Sequence, residues 1–101
     1  MCEKNNNMEN HFMKEQFKDY LLSKGYSEYT PSGNPSTVYD YIYRIEKICL
    51  EEGSSWEMLA SDIDRFVKDY DVGGKNENIG QTSHRAVINA LKAFKAFLEN
   101  R

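Results

Sequence analysis

From Gln81 to Arg101 the chain reads QTSHRAVINALKAFKAFLENR. Val87, Ile88, Leu91, Phe94, Phe97 and Leu98 recur at spacings of three and four, which predicts a helix with one apolar stripe. A stripe of this kind has to be covered, so the rest of the chain is constrained to pack against it. Arg85, Asn89, Lys92 and Lys95 repeat at nearly the same spacing but fall mainly off the stripe. One helix is thus expected to supply a wall of the core and a basic outer strip.

The preceding segments also have helical periods. Phe12, Phe17, Tyr20 and Leu21, with Met13 near one edge, predict a first helix from about His11 to Lys24, stopped by Gly25. YSEYTPSGNPS, residues 26–36, is a connection whose Tyr26 and Tyr29 are placed to pin it to the body. A second helix follows from Ser36 or Thr37 to about Glu52, with Val38, Tyr41, Ile42, Ile45, Ile48 and Cys49 on its stripe and Gly53 as its stop. SSWEMLASDIDRFVKDYD reads as two short helices. Ser54 with Glu57, then Ser61 with Asp64, repeat a capping box and imply a break near Ala60. Trp56 and Leu59 anchor the first, and Ile63, Phe66, Val67 and Tyr70 the second. Residues 71–80, DVGGKNENIG, read as a surface loop, after which Thr82 or Ser83 caps the last helix.

No strand-like alternation and no solenoid repeat interrupts this order. The expected architecture is an all-α, compact bundle of four principal helices with one short additional helix. A chain of 101 residues suits one domain, here residues 11–101 behind a polar, asparagine-rich and flexible leader, residues 1–10. Two cysteines, Cys2 and Cys49, are too few for a disulfide framework and imply a reducing compartment. With no signal-like run and no apolar stretch near the roughly 18 residues of a membrane span, the expectation is a cytoplasmic protein without membrane contact.

Chemistry finds little purchase. His11, His84 and the cysteines have no zinc spacing, and Asp62, Asp64, Asp69 and Asp71 lack a calcium loop's glycine and twelfth-position glutamate. Gly73 and Gly74 do not make a phosphate loop, which needs GxxxxGK followed by Ser or Thr. No serine sits on a nucleophile elbow, and the adjacent Glu51 and Glu52 point in different directions on a helix. No enzyme, cofactor, metal or small-molecule substrate is expected.

Charge leaves two functional classes. The net charge of -3 opposes generic nucleic-acid binding. Its distribution is uneven: acidic side chains dominate residues 36–72, while basic ones dominate 73–101. Arg85, Lys92 and Lys95 are therefore candidates for phosphate contacts, Asn89 for a phosphate or base edge, and the capped start at Thr82, Ser83 and His84 for amide contacts to phosphate. The alternative is an ordinary solvated helix face. Seven tyrosines, mostly before residue 45, suit a wet core edge or a protein-binding face.

FKDYLLSKGYS at 17–27, STVYDYIYRIEKI at 36–48, SWEMLASDIDRFVKDYD at 55–71 and above all TSHRAVINALKAFKAFLE at 82–99 resemble, in order and spacing, the N-terminal core-binding domain of tyrosine recombinases and phage integrases. The resemblance implies the SAM-like integrase fold and a module that clamps one face of duplex DNA opposite a separate catalytic domain. It carries DNA contact to Ser83, His84, Arg85, Asn89 and Lys92, and to Thr37 and Arg44 around the second helix, whereas Tyr41 belongs to the core stripe. The family's catalytic arginines, histidines, lysine and nucleophilic tyrosine have no counterpart here. The expectation is a non-catalytic, DNA-binding, integrase-like module of DNA integration and recombination. The alternative is a protein-binding module of a mobile element that engages a recombinase or a host-defence component.

Overall fold

The computed structural model describes the backbone of residues 2–100 and the side chains of residues 12–100. Six helices order the described chain: α1 (Cys2–Ser23), α2 (Thr37–Glu52), α3 (Trp56–Ser61), α4 (Ile63–Tyr70), α5 (Glu77–Gly80) and α6 (Thr82–Glu99). No sheet forms among the described residues; one isolated bridge, Tyr29 to Pro35, pinches the first loop. The expected leader, residues 1–10, and the side chains of Cys2 and His11 lie outside the described side chains.

Glycine ends the first two helices by the same device. Gly25 takes φ +90°, which lets its N–H reach the Leu22 carbonyl and the Tyr26 N–H reach the Leu21 carbonyl, both at 3.1 Å. Gly53, at φ +62°, places the Ser54 N–H 2.8 Å from the Cys49 carbonyl. Between α1 and α2 the tyrosines tie down the loop as expected. Tyr26 packs on Tyr41 at 5.5 Å between ring centroids and Tyr29 on Tyr39 at 5.6 Å. The Tyr39 hydroxyl donates to Glu28 at 2.7 Å, and Lys18 lies 3.2 Å from the same carboxylate. First that hydroxyl and then Lys18 hold the Glu28 carboxyl below its ordinary range.

The core is an aromatic cluster closed by aliphatics. Phe17 of α1 meets Phe94 edge-on at 5.2 Å, Phe97 at 5.6 Å and Trp56 at 6.0 Å. Trp56 stands perpendicular to Phe94 at 5.3 Å. Leu21, Val38, Ile45, Leu59, Ile88 and Leu91 are fully buried around it, each side chain contributing about 1.5–3 kcal/mol by leaving water. Every other helix packs against α6, so the C-terminal stripe is the shared wall the periodicity implied. Burial also pushes the Cys49 thiol up to about 11, as befits an inert core cysteine.

Four local expectations are corrected. Phe12 is 63% exposed, whereas Met13 is buried. The inward line of α1 is Met13, Phe17 and Leu21, and Phe12 sits roughly 100° off it. Ser55, not Ser54, caps α3, its hydroxyl accepting from the Met58 N–H at 3.1 Å, because Ser54 is already engaged in ending α2. Ser61 does not cap α4: its hydroxyl donates to the Met58 carbonyl at 2.9 Å, and the break falls at Asp62. The loop 71–80 contains α5, so six helices replace the expected five. Two glycines there serve close approach. A Cβ on Gly80 would collide with the Tyr70 carbonyl oxygen, and one on Gly74 with the carbonyl oxygens of Lys68 and Asp69. Among the described residues no helix is long and apolar enough to cross a membrane.

Candidate functional site

The start of α6 departs from an ordinary helix N-terminus. Ser83, His84 and Arg85 have φ of 56°, 56° and 69°, a left-handed turn inside the helix span. Each costs a side-chain-bearing residue about 1–2 kcal/mol relative to right-handed backbone. Thr82 does not cap forward either; its hydroxyl donates back to the Asn78 carbonyl at 3.1 Å. Backbone amides in a left-handed turn do not converge along the axis of the following right-handed helix, so the expected phosphate seat at Thr82, Ser83 and His84 is lost. The turn also breaks register. Arg85 and Asn89 share a face only on a continuous right-handed helix, and Arg85 lies within the reversed turn.

The remaining cations are compensated by the protein's own carboxylates. Lys92 Nζ lies 3.1 Å from Asp71, at the end of α4, and Lys95 Nζ lies 3.0 Å from Asp64 of α4. Arg44 Nε lies 3.3 Å from Asp40, an ion pair without the alignment of a hydrogen bond. The Asp71 carboxyl is held below its ordinary range first by the Val72 N–H, then by Lys92, with the field of Arg85 added. The partner carboxylate of Lys95 raises that ammonium's pKa. Ser83, His84, Arg85 and Asn89 are exposed, and Thr37 is half-buried at the start of α2. A phosphate approaching α6 would meet lysines already screened by carboxylates, which lessens the counterion release that drives polyanion binding.

The structure gathers Lys92 into another arrangement. Together with Tyr20, Lys24, Tyr26, Ala93 and Ala96 it lines an open cleft of about 440 Å³. Gly25, left-handed at φ +90°, stands between two of its lining residues, Lys24 and Tyr26. Tyr20 is held against Phe97 at 5.7 Å, and Lys24 Nζ sits 5.6 Å from the Tyr20 ring centroid. Ala93 and Ala96 leave the α6 backbone approachable. Two further clefts carry mixed charge. Arg44, Lys47 and Glu51 line one of about 220 Å³ beside Ile79 and Thr82, and Glu52, Asp62 and Arg65 line one of about 290 Å³ beside Met58. Sequence reasoning selected Lys92 but missed Tyr20, Lys24, Tyr26, Ala93 and Ala96. The available signals were Gly25 between Lys24 and Tyr26, and Ala93 and Ala96, two of the four alanines of α6, at a spacing of three beside Lys92.

Exposed apolar area lies elsewhere too. Tyr43 and Leu50, two turns apart on α2, are 56% and 82% exposed. Among the described residues no group of three or more His, Cys, Asp or Glu side chains is arranged to hold a metal ion.

No family model, no curated protein and no solved structure matches the chain. The resemblance to recombinase core-binding domains thus gains nothing from known proteins. With Lys92, Lys95 and Arg44 each beside a carboxylate and the α6 start reversed, the expectation of DNA binding is corrected. Its extensions to DNA integration, DNA recombination, an integrase-like role and a mobile-element origin lose their footing with it.

Proposed function

We propose that the chain is a non-catalytic protein-binding module. The observation that carries this reading is the compensation of α6: its lysines are paired with Asp71 and Asp64, so the surface offers a partner exposed tyrosine and aliphatic area beside charge that is internally balanced. Surfaces of that composition suit protein partners, where aromatic side chains provide area and charge is thinned. Polyanions need the opposite. The likeness to a core-binding domain rests on the order of sequence segments alone, and it lends no DNA role.

Affinity capture of partners from source cells, with and without nuclease, tests the reading against titration of labelled duplex at low and moderate salt. The expected outcome is a reproducible protein complex that survives nuclease, with no salt-sensitive duplex binding. Recovery that vanishes with nuclease, or no reproducible partner under either condition, would sink it.

A further inference from the structure

We propose that the cleft between the C-terminal end of α1 and the middle of α6 docks a short acidic, aliphatic-bearing segment of a partner protein, an inference that rests on the protein-binding reading above. A carboxylate of that segment lies between Lys24 and Lys92, and a branched aliphatic side chain lies over Ala93 and Ala96.

Charge selects the occupant. The lining of this cleft holds two cations and no carboxylate, in a chain whose net charge is -3. The two clefts of mixed lining each bring at least one carboxylate to face a ligand, so neither discriminates for an anion. Among the described residues Lys24 has no carboxylate partner, and its ammonium lies across the Tyr20 ring. Lys92 already touches Asp71, but an ammonium has three donor hydrogens and can serve a second acceptor. A carboxylate in the cleft therefore adds a partner to Lys24 and shares Lys92.

Shape agrees. Tyr26 is fixed from behind by Tyr41 and by the α1 terminator, and Tyr20 by Phe97. Walls already held in place lose little freedom on binding. Their rings give apolar area with a hydroxyl at the edge, the composition that favours peptide over water. The alanine floor admits a side chain that larger residues would exclude. Against a nucleic acid stand the sparse cations and the acidic remainder of the molecule, since phosphate binding grows with the number of charges neutralised.

The test pans the full chain against a displayed library of short random peptides, then measures recovered peptides by fluorescence anisotropy. Recovered sequences are expected to combine Asp or Glu with Leu, Ile or Val. Lys24→Glu, which breaks no ion pair among the described residues, and Tyr26→Ala should each weaken them by about tenfold or more. Circular dichroism melts verify that both variants fold. On the wild type, amide shifts in NMR should concentrate at Lys24, Tyr26, Ala93 and Ala96, a readout independent of any variant. Peptides that bind undiminished to both variants, or shift amides elsewhere, overturn the cleft while leaving a protein-binding module with another surface. Recovery of no peptide at all also overturns the cleft, and nuclease-resistant capture then decides the wider reading on its own. Displacement of a bound peptide by duplex oligonucleotide at moderate salt overturns the assignment to protein.

Discussion

At Gly80 there is no room for a methyl group, because the Tyr70 carbonyl oxygen already occupies the direction a Cβ would take. Gly80→Ala should therefore force α5 away from α4 and cost on the order of 1–3 kcal/mol or more, as overpacking against backbone does. Gly33→Ala is the control. Its φ of +88° is strained for a side chain, but open space surrounds it, so a cost of about 1 kcal/mol is expected. Urea titration of both variants measures the difference, and equal costs would remove the close approach from the account. A second prediction concerns Asp71, whose carboxyl is held below its ordinary value of 3.8 by the Val72 N–H and then by Lys92. A carboxyl with a depressed folded-state pKa stabilises fully above its unfolded value, and that contribution is lost as pH falls through the folded one. Asp71→Asn should thus lower Tm at neutral pH, with the gap from wild type closing as pH drops below about 4. A gap independent of pH would mean that the carboxylate charge is not what matters.

Among the elements, the reversed turn of α6 gives the sharpest test because right- and left-handed backbone predict opposite signs. His84→Gly relieves a left-handed residue of about 1–2 kcal/mol but loosens the unfolded chain by about 0.4–1 kcal/mol. The net expectation is a gain of up to about 1.6 kcal/mol in a denaturant melt. In an ordinary right-handed helix the same change would cost about 0.3–0.5 kcal/mol, the gap between His and Gly in helix propensity, so a loss would refute the turn. This is also where sequence pattern fell short. Serine and threonine before an apolar stripe read as a cap, and no propensity announces three successive left-handed residues at Ser83, His84 and Arg85. The capping errors at Ser54 and Ser61 share a cause, since a hydroxyl serves whichever backbone group lies nearest, and that depends on how the preceding helix ends. What the pattern did reveal was every stripe with a strong period: α2, α4 and α6 bury the residues their spacing selected, with Tyr41, Ile63, Val67 and Leu98 only half-covered.

For the whole molecule, the aromatic cluster of Phe17, Trp56, Phe94 and Phe97 is where α1, α3 and α6 meet. Phe94→Ala should cost about 3–5 kcal/mol, a large share of the about 5–15 kcal/mol that holds a domain folded. Calorimetry should show a fall in Tm far beyond that of Lys95→Ala, which removes only a solvent-screened surface ion pair with Asp64. Comparable falls would shift the weight of the fold from burial to surface charge. The candidate cleft was less legible than this core. Lys92 stood out by charge, but what surrounds it depends on the packing of the end of α1 against α6, segments far apart in the sequence. The chain contains a single tryptophan, and it lies buried inside that cluster, edge-on to Phe94. Its emission is accordingly a native optical gauge: blue while the indole is dry, and red-shifted once water reaches the seam between α3 and its neighbours. Events at the tyrosine-walled surface leave that colour unchanged, so one spectrum can separate ligand docking from loss of structure without any attached dye.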